Sequence, residues 1–101
     1  MSLVSVVYRD EEGAWRKALL DAADYIECQG WSQGGGDSRG GPVCMVGAIT
    51  TVCVYSKPYT RAIDELKRML NAHLMEWNNQ PGRTKDEVIS ALRRCAHDVT
   101  D

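Results

Sequence analysis

The chain has 101 residues, 44% apolar and 26% charged, with a net charge of −2. That length suits one small domain with a thin core, and the balance is that of an ordinary globular protein rather than a disordered or fibrous one. Residues 1–50 carry four basic and seven acidic side chains and residues 51–101 carry eight and seven, so the halves stand at −3 and +1 and neither supplies the concentrated positive field that phosphate binding needs.

Residues 1–9 read as a short arm. Leu3, Val4, Val6 and Val7 alternate weakly enough to form an extended piece, and the acidic run Asp10–Glu12 that follows is unlike a signal-peptide cleavage site. An amphipathic helix comes next. Trp15, Ala18, Leu19, Ala22, Ala23 and Ile26 recur at spacings of three and four and share one face, and Gly30 is a natural stop. Asp10–Glu12 lie near its start, where acids suit the helix dipole.

Residues 30–42 form a glycine-rich loop, and Pro42 suits the first turn of a second helix. Residues 43–55 are ambiguous. Their β-branched content favours a strand, their length and apolar character also fit a short buried helix, and periodicity does not separate the two. The stretch is too short to span a bilayer. Pro58 opens a further helix with Ala62, Ile63, Leu66, Met69, Leu70, His73 and Leu74 as its apolar stripe, and Asp64 is placed to pair with Lys67 or Arg68. Glu76–Gly82 breaks that pattern. Thr84 with Glu87 three residues on is a capping box for the last helix, whose buried face is Val88, Ile89, Leu92, Cys95, Ala96 and Val99.

Three segments taken together carry a resemblance: AADYIECQGWSQG at 22–34, GPVCMVGAI at 41–49 and EWNNQPGRTKDEVISAL at 76–92. They resemble DUF6197, a family of small uncharacterised actinobacterial and mycobacteriophage proteins, over about residues 14–97. The matching positions are Gly30, Trp31, Cys44, Gly47, Ala48, Trp77, Asn78, Gly82, Arg83, Thr84 and Val88. The chain departs from the family pattern at Asn79, where the family has Asp, and at Met45-Val46, where it has Ala-Leu. The resemblance implies a helix at 43–54. The expected fold is therefore mainly all-α, a small four-helix bundle with a short arm, and the alternative is α+β with residues 3–8 and 43–55 as strands.

The candidate residues have structural and functional readings side by side. Cys44, in a first helical turn, would be an activated thiol if His73 or His97 stood beside it; otherwise it packs as a small hydrophobe. Cys28, Cys44, Cys53, Cys95, His73 and His97 lack the paired spacing of a zinc site, so no metal, cofactor or catalytic residue is assigned. The glycine loop lacks a P-loop ending. Asn78 suits bonding its own turn, Gly82 a positive φ, and Thr84 a cap. Arg83 would lock that loop to a helix C-terminus or meet an acidic partner. Trp31 and Trp77 close the ends of the core or anchor an interface. A helix-turn-helix is disfavoured by the long interval before Thr84 and by Asp86 and Glu87 where base-reading side chains would sit.

The expectation is a cytoplasmic, non-enzymatic accessory protein with reduced thiols that acts through a protein partner, with homodimerisation as a separate expectation and no membrane. The alternatives are a small thiol-dependent enzyme or ligand-binding protein using Cys44 and the glycine loop, and a weak nucleic-acid binder.

Overall fold

A computed structural model describes residues 13–34, 41–53 and 57–98. Among them are five helices: α1 (Ala14–Gln29), α2 (Met45–Val52), α3 (Lys57–Leu70), α4 (Leu74–Asn78) and α5 (Lys85–Asp98). The expected arm at residues 1–9, the acids Asp10–Glu12, residues 35–40 of the glycine loop, Val54, Tyr55 and Val99 lie outside the described residues.

The predicted face of α1 is the centre of the core. Trp15, Ala18, Leu19, Ala22, Ala23 and Ile26 are all buried, and α5, α2 and α3 pack against the helix. The three alanines let neighbouring helices approach closely, while Leu19 and Ile26 are each worth roughly 1.5–3 kcal/mol in buried apolar area. Gly30 ends α1 with φ 99°, and its N–H bonds the Ile26 carbonyl at 2.8 Å. A side chain at that φ would be strained, so glycine is required there.

Residues 45–52 are helical, in agreement with the family resemblance and against raw β propensity. A strand needs a neighbour for its backbone groups. The only pairing among the described residues is one parallel bridge between Trp31 and Val43. A helix closes its own bonds and places Met45, Ala48 and Ile49 together in the core. Thr51 also turns its hydroxyl onto the Gly47 carbonyl at 2.7 Å. The helix begins later than expected, since Pro42 and Val43 precede it and the bridge holds Val43 extended, leaving Cys44 as the N-cap.

The third helix is corrected at its end. It stops at Leu70, and Asn71 has φ 52°. His73 is exposed at the N-cap of α4 rather than in the apolar stripe, and Leu74–Asn78 form a short helix of their own. The acid that pairs along α3 is Glu65, not Asp64. It is nearly buried and is held by Arg61 at 2.7 Å and Arg68 at 3.1 Å. The last helix follows its pattern, with Val88, Ile89, Leu92, Cys95 and Ala96 buried.

Candidate functional site

Three of the residues singled out in the sequence, Trp31, Cys44 and Asn78, converge where α4 meets the Trp31 segment and the start of α2. Asn78 is the hub. It is completely buried, and its side chain does not bond the backbone of its own turn as expected. Its Oδ1 accepts from Trp31 Nε1 at 2.7 Å and from the Met45 backbone N–H at 3.0 Å. Its Nδ2 donates to the Ser32 carbonyl at 3.2 Å and to Asn79 Oδ1 at 3.0 Å. One side-chain amide therefore links three stretches distant in sequence, using both of its acceptor lone pairs and both of its donors.

Asn79 and Gln33 extend this join. Asn79 Oδ1 also accepts from Gly34 N–H at 2.7 Å, and Gln33 Nε2 donates to the Asn78 and Gln80 carbonyls at 3.3 and 2.9 Å. An Asp at position 79, which the resemblance implies for the family, would supply the same acceptor oxygen to Gly34 N–H. Nothing in the sequence marked Gln33 or the burial of Asn78. An asparagine beside Asn79, Pro81 and Gly82 reads as turn chemistry, and long-range partners leave no local trace.

Cys44 caps α2. Its Sγ accepts from Gly47 N–H at 3.3 Å, and the thiol faces Met75 Sδ at 3.9 Å. The sulfur is buried, and neither partner is a base that could activate it as a nucleophile. With Cys44 on Gly47 and Asn78 on Met45, two of the orphan donors at the N-terminus of α2 are satisfied from within the chain.

Trp77 and Arg83 form a stacked pair, the guanidinium carbon 3.7 Å from the indole centroid. Arg83 Nε donates to the Trp77 carbonyl at 2.9 Å and Nη2 to Gln80 Oε1 at 3.0 Å, with Glu87 3.7 Å away. The arginine thus takes up a carbonyl at the end of α4, and Gly82, with φ 87°, makes the turn that brings it back. Thr84 and Glu87 then complete the capping box: Thr84 N–H donates to Glu87 Oε1 at 2.9 Å and Glu87 N–H to Thr84 Oγ1 at 3.2 Å. Trp31 and Trp77 are both half-buried against the core.

Beside the stacked pair lies an open groove of about 320 Å³, lined by Leu70 of α3, Trp77 of α4, and Asp86, Glu87, Ser90, Ala91 and Arg94 of α5. Its floor is apolar and its rim is charged. The sequence placed Leu70 in a buried stripe and Glu87 in a cap without joining them to Trp77, and it marked none of Ser90, Ala91 and Arg94. The available signal was the exposed series Asp86, Ser90 and Arg94, four residues apart along one helix face.

A second polar cluster joins α1, α3 and α5. Arg16 and Arg61 stand 4.4 and 5.0 Å from the Trp15 ring, and Arg16 Nη1 bonds the Ala96 carbonyl at 2.7 Å. Burial, with the nearby Glu65 carboxylate adding to it, pushes the Cys95 thiol up to about 11, so it is protonated at neutral pH. Among the described residues no group of His, Cys, Asp and Glu is arranged to hold a metal ion, and no helix is long and apolar enough to cross a membrane.

No curated protein and no solved structure matches the chain. The family model of DUF6197, a family of unknown function, matches residues 12–98. The match spans all five helices and every residue of the Asn78 junction, and the chain belongs to that family.

Proposed function

We propose that this chain is a non-enzymatic accessory protein, cytoplasmic in an actinobacterium or its phage, that acts by protein–protein contact. The observation that carries the reading is the groove between α3, α4 and α5, an apolar floor with a charged rim. That is the anatomy of a contact surface, in which apolar anchors are enclosed by polar groups. The neighbouring Asn78 junction and the Trp77–Arg83 stack hold one wall of the groove in place, so little ordering entropy is lost on binding.

The chemistry elsewhere supports contact over catalysis. Cys44 is occupied in capping α2, and Cys95 keeps its proton at neutral pH. Several cations are committed to acids of the same chain: Arg93 to Asp24 and Glu27, and Arg61 and Arg68 to Glu65. That arrangement favours a protein partner over a phosphate backbone.

The test is a pull-down from actinobacterial lysate read by mass spectrometry, with wild type beside Ser90→Arg and Cys44→Ser. Ser90 is exposed, so an arginine there fills the groove without entering the core. The expected result is a stoichiometric protein retained by Cys44→Ser and lost with Ser90→Arg. Capture unaffected by Ser90→Arg, or lost with Cys44→Ser, would overturn the reading.

A further inference from the structure

We infer that the groove on α5 is a self-association surface and that its occupant is a second copy of this chain, docked antiparallel across a two-fold axis at Ser90. The inference rests on the contact reading above and names the partner. It follows from the order of charges along one exposed helix stripe.

Asp86, Ser90 and Arg94 are all exposed and stand four residues apart, so they share a face of α5, with the two charges about 12 Å apart along the axis at 1.5 Å per residue. An isologous interface pairs residue i of one copy with residue j of the other, and j with i. Turning this stripe about a two-fold axis through Ser90 sets Asp86 against Arg94 of the second copy and Arg94 against its Asp86. The stripe is complementary to its own antiparallel image. A foreign partner would have to supply both charges in matching order, whereas a second copy supplies them by symmetry.

The surroundings agree with that geometry. Ser90, at the axis, is small enough for two helices to approach closely. Leu70, Trp77 and Ala91 supply the apolar floor beside it. Glu87 is engaged by Thr84 and Arg83, while Asp86, one residue away, is in no ion pair among the described residues. Arg94 has five guanidinium donors, enough to meet an acid of the second copy in addition to its contacts within the chain. The two-fold operation closes on itself and leaves no open edge for further copies.

The experiment is sedimentation equilibrium at low salt on the wild-type chain, Asp86→Arg, Arg94→Asp, their equimolar mixture and Ser90→Arg, with circular dichroism confirming that each is folded. The wild type is expected at twice the 11.2 kDa chain mass. Asp86→Arg alone sets arginine against arginine and Arg94→Asp alone sets acid against acid, so each dissociates at least roughly tenfold more readily. Mixing the two restores both attractive pairs, and the dimer returns. Ser90→Arg, which puts two guanidinium groups on the axis, gives monomer by itself and serves in place of either charge variant that fails to fold. A wild type that stays at monomer mass up to about 100 µM overturns the inference. Folded single variants that fail to dimerise when mixed overturn it too, as does a Ser90→Arg dimer. A monomeric wild type whose lysate partner is still lost with Ser90→Arg removes the second copy and leaves the contact reading standing.

Discussion

Replacing Asn78 with alanine removes four hydrogen bonds at once, and the cost can be worked from its partners. The Met45 N–H is left in a completely buried residue, and the Trp31 indole N–H and the Ser32 carbonyl sit in half-buried ones. An orphaned buried donor costs about 1–3 kcal/mol, while a polar group that water can reach costs less than about 1 kcal/mol. Counting Met45 in full and the half-buried groups in part gives about 3 kcal/mol at mid-range, with roughly 5 kcal/mol as the upper bound. A domain of this length is stabilised by about 5–15 kcal/mol in total, so the variant should be marginal but foldable. The expected fall in Tm is roughly 15–30 °C. The control is Asn79→Ala, whose side chain is exposed and should cost about 1 kcal/mol. Urea unfolding followed by tryptophan fluorescence measures both. Trp31→Phe, which keeps most of the ring and removes the donor, completes a double-mutant cycle in which the coupling with Asn78→Ala should exceed about 1 kcal/mol. A loss below about 1.5 kcal/mol for Asn78→Ala, or one equal to that of Asn79→Ala, would refute the assignment of Asn78 as the hub.

Arg83→Lys keeps the charge but loses the planar stack on Trp77 and the Nε bond to the Trp77 carbonyl, so thermal melting should fall by about 5–10 °C, and a shift below about 2 °C would count against the stacked geometry. The Cys95 thiol is raised from an ordinary value of 9.0 to about 11, chiefly by burial and then by Glu65. The folded state therefore holds its proton more tightly than the unfolded chain does, and the stability this confers is full below about pH 9 and lost as pH rises to about 11. Between those values the wild type should lose up to roughly 2–3 kcal/mol more than Cys95→Ala in urea titrations, and parallel pH profiles would contradict it.

The fold was largely legible where signals are local. The 3.6-residue rhythm of α1 marked all six of its buried residues from spacing alone, and the Thr84–Glu87 interval marked the cap of α5. Such signals survive in sequence because a helix face and a capping box involve residues three or four apart. Propensity favoured a strand at residues 43–55, but the described residues offer no sheet for one to join. In the described structure Val43 finds one bridge, to Trp31, and the helix that follows satisfies its own backbone.

The site was legible only as a set of residue names. Trp31, Cys44, Trp77, Asn78, Arg83 and Thr84 could be chosen from the resemblance, but their roles depended on who met whom. Tertiary structure brought Asn78 against Met45 and Trp31, 33 and 47 residues away, turned a turn-forming asparagine into a buried hub, and moved Cys44 from a first helical turn to an N-cap. It also aligned Leu70, Trp77 and Ala91 from three helices into one groove. Backbone periodicity is written along the chain and can be read from it, whereas a hydrogen bond between distant side chains exists only once the core has set their positions.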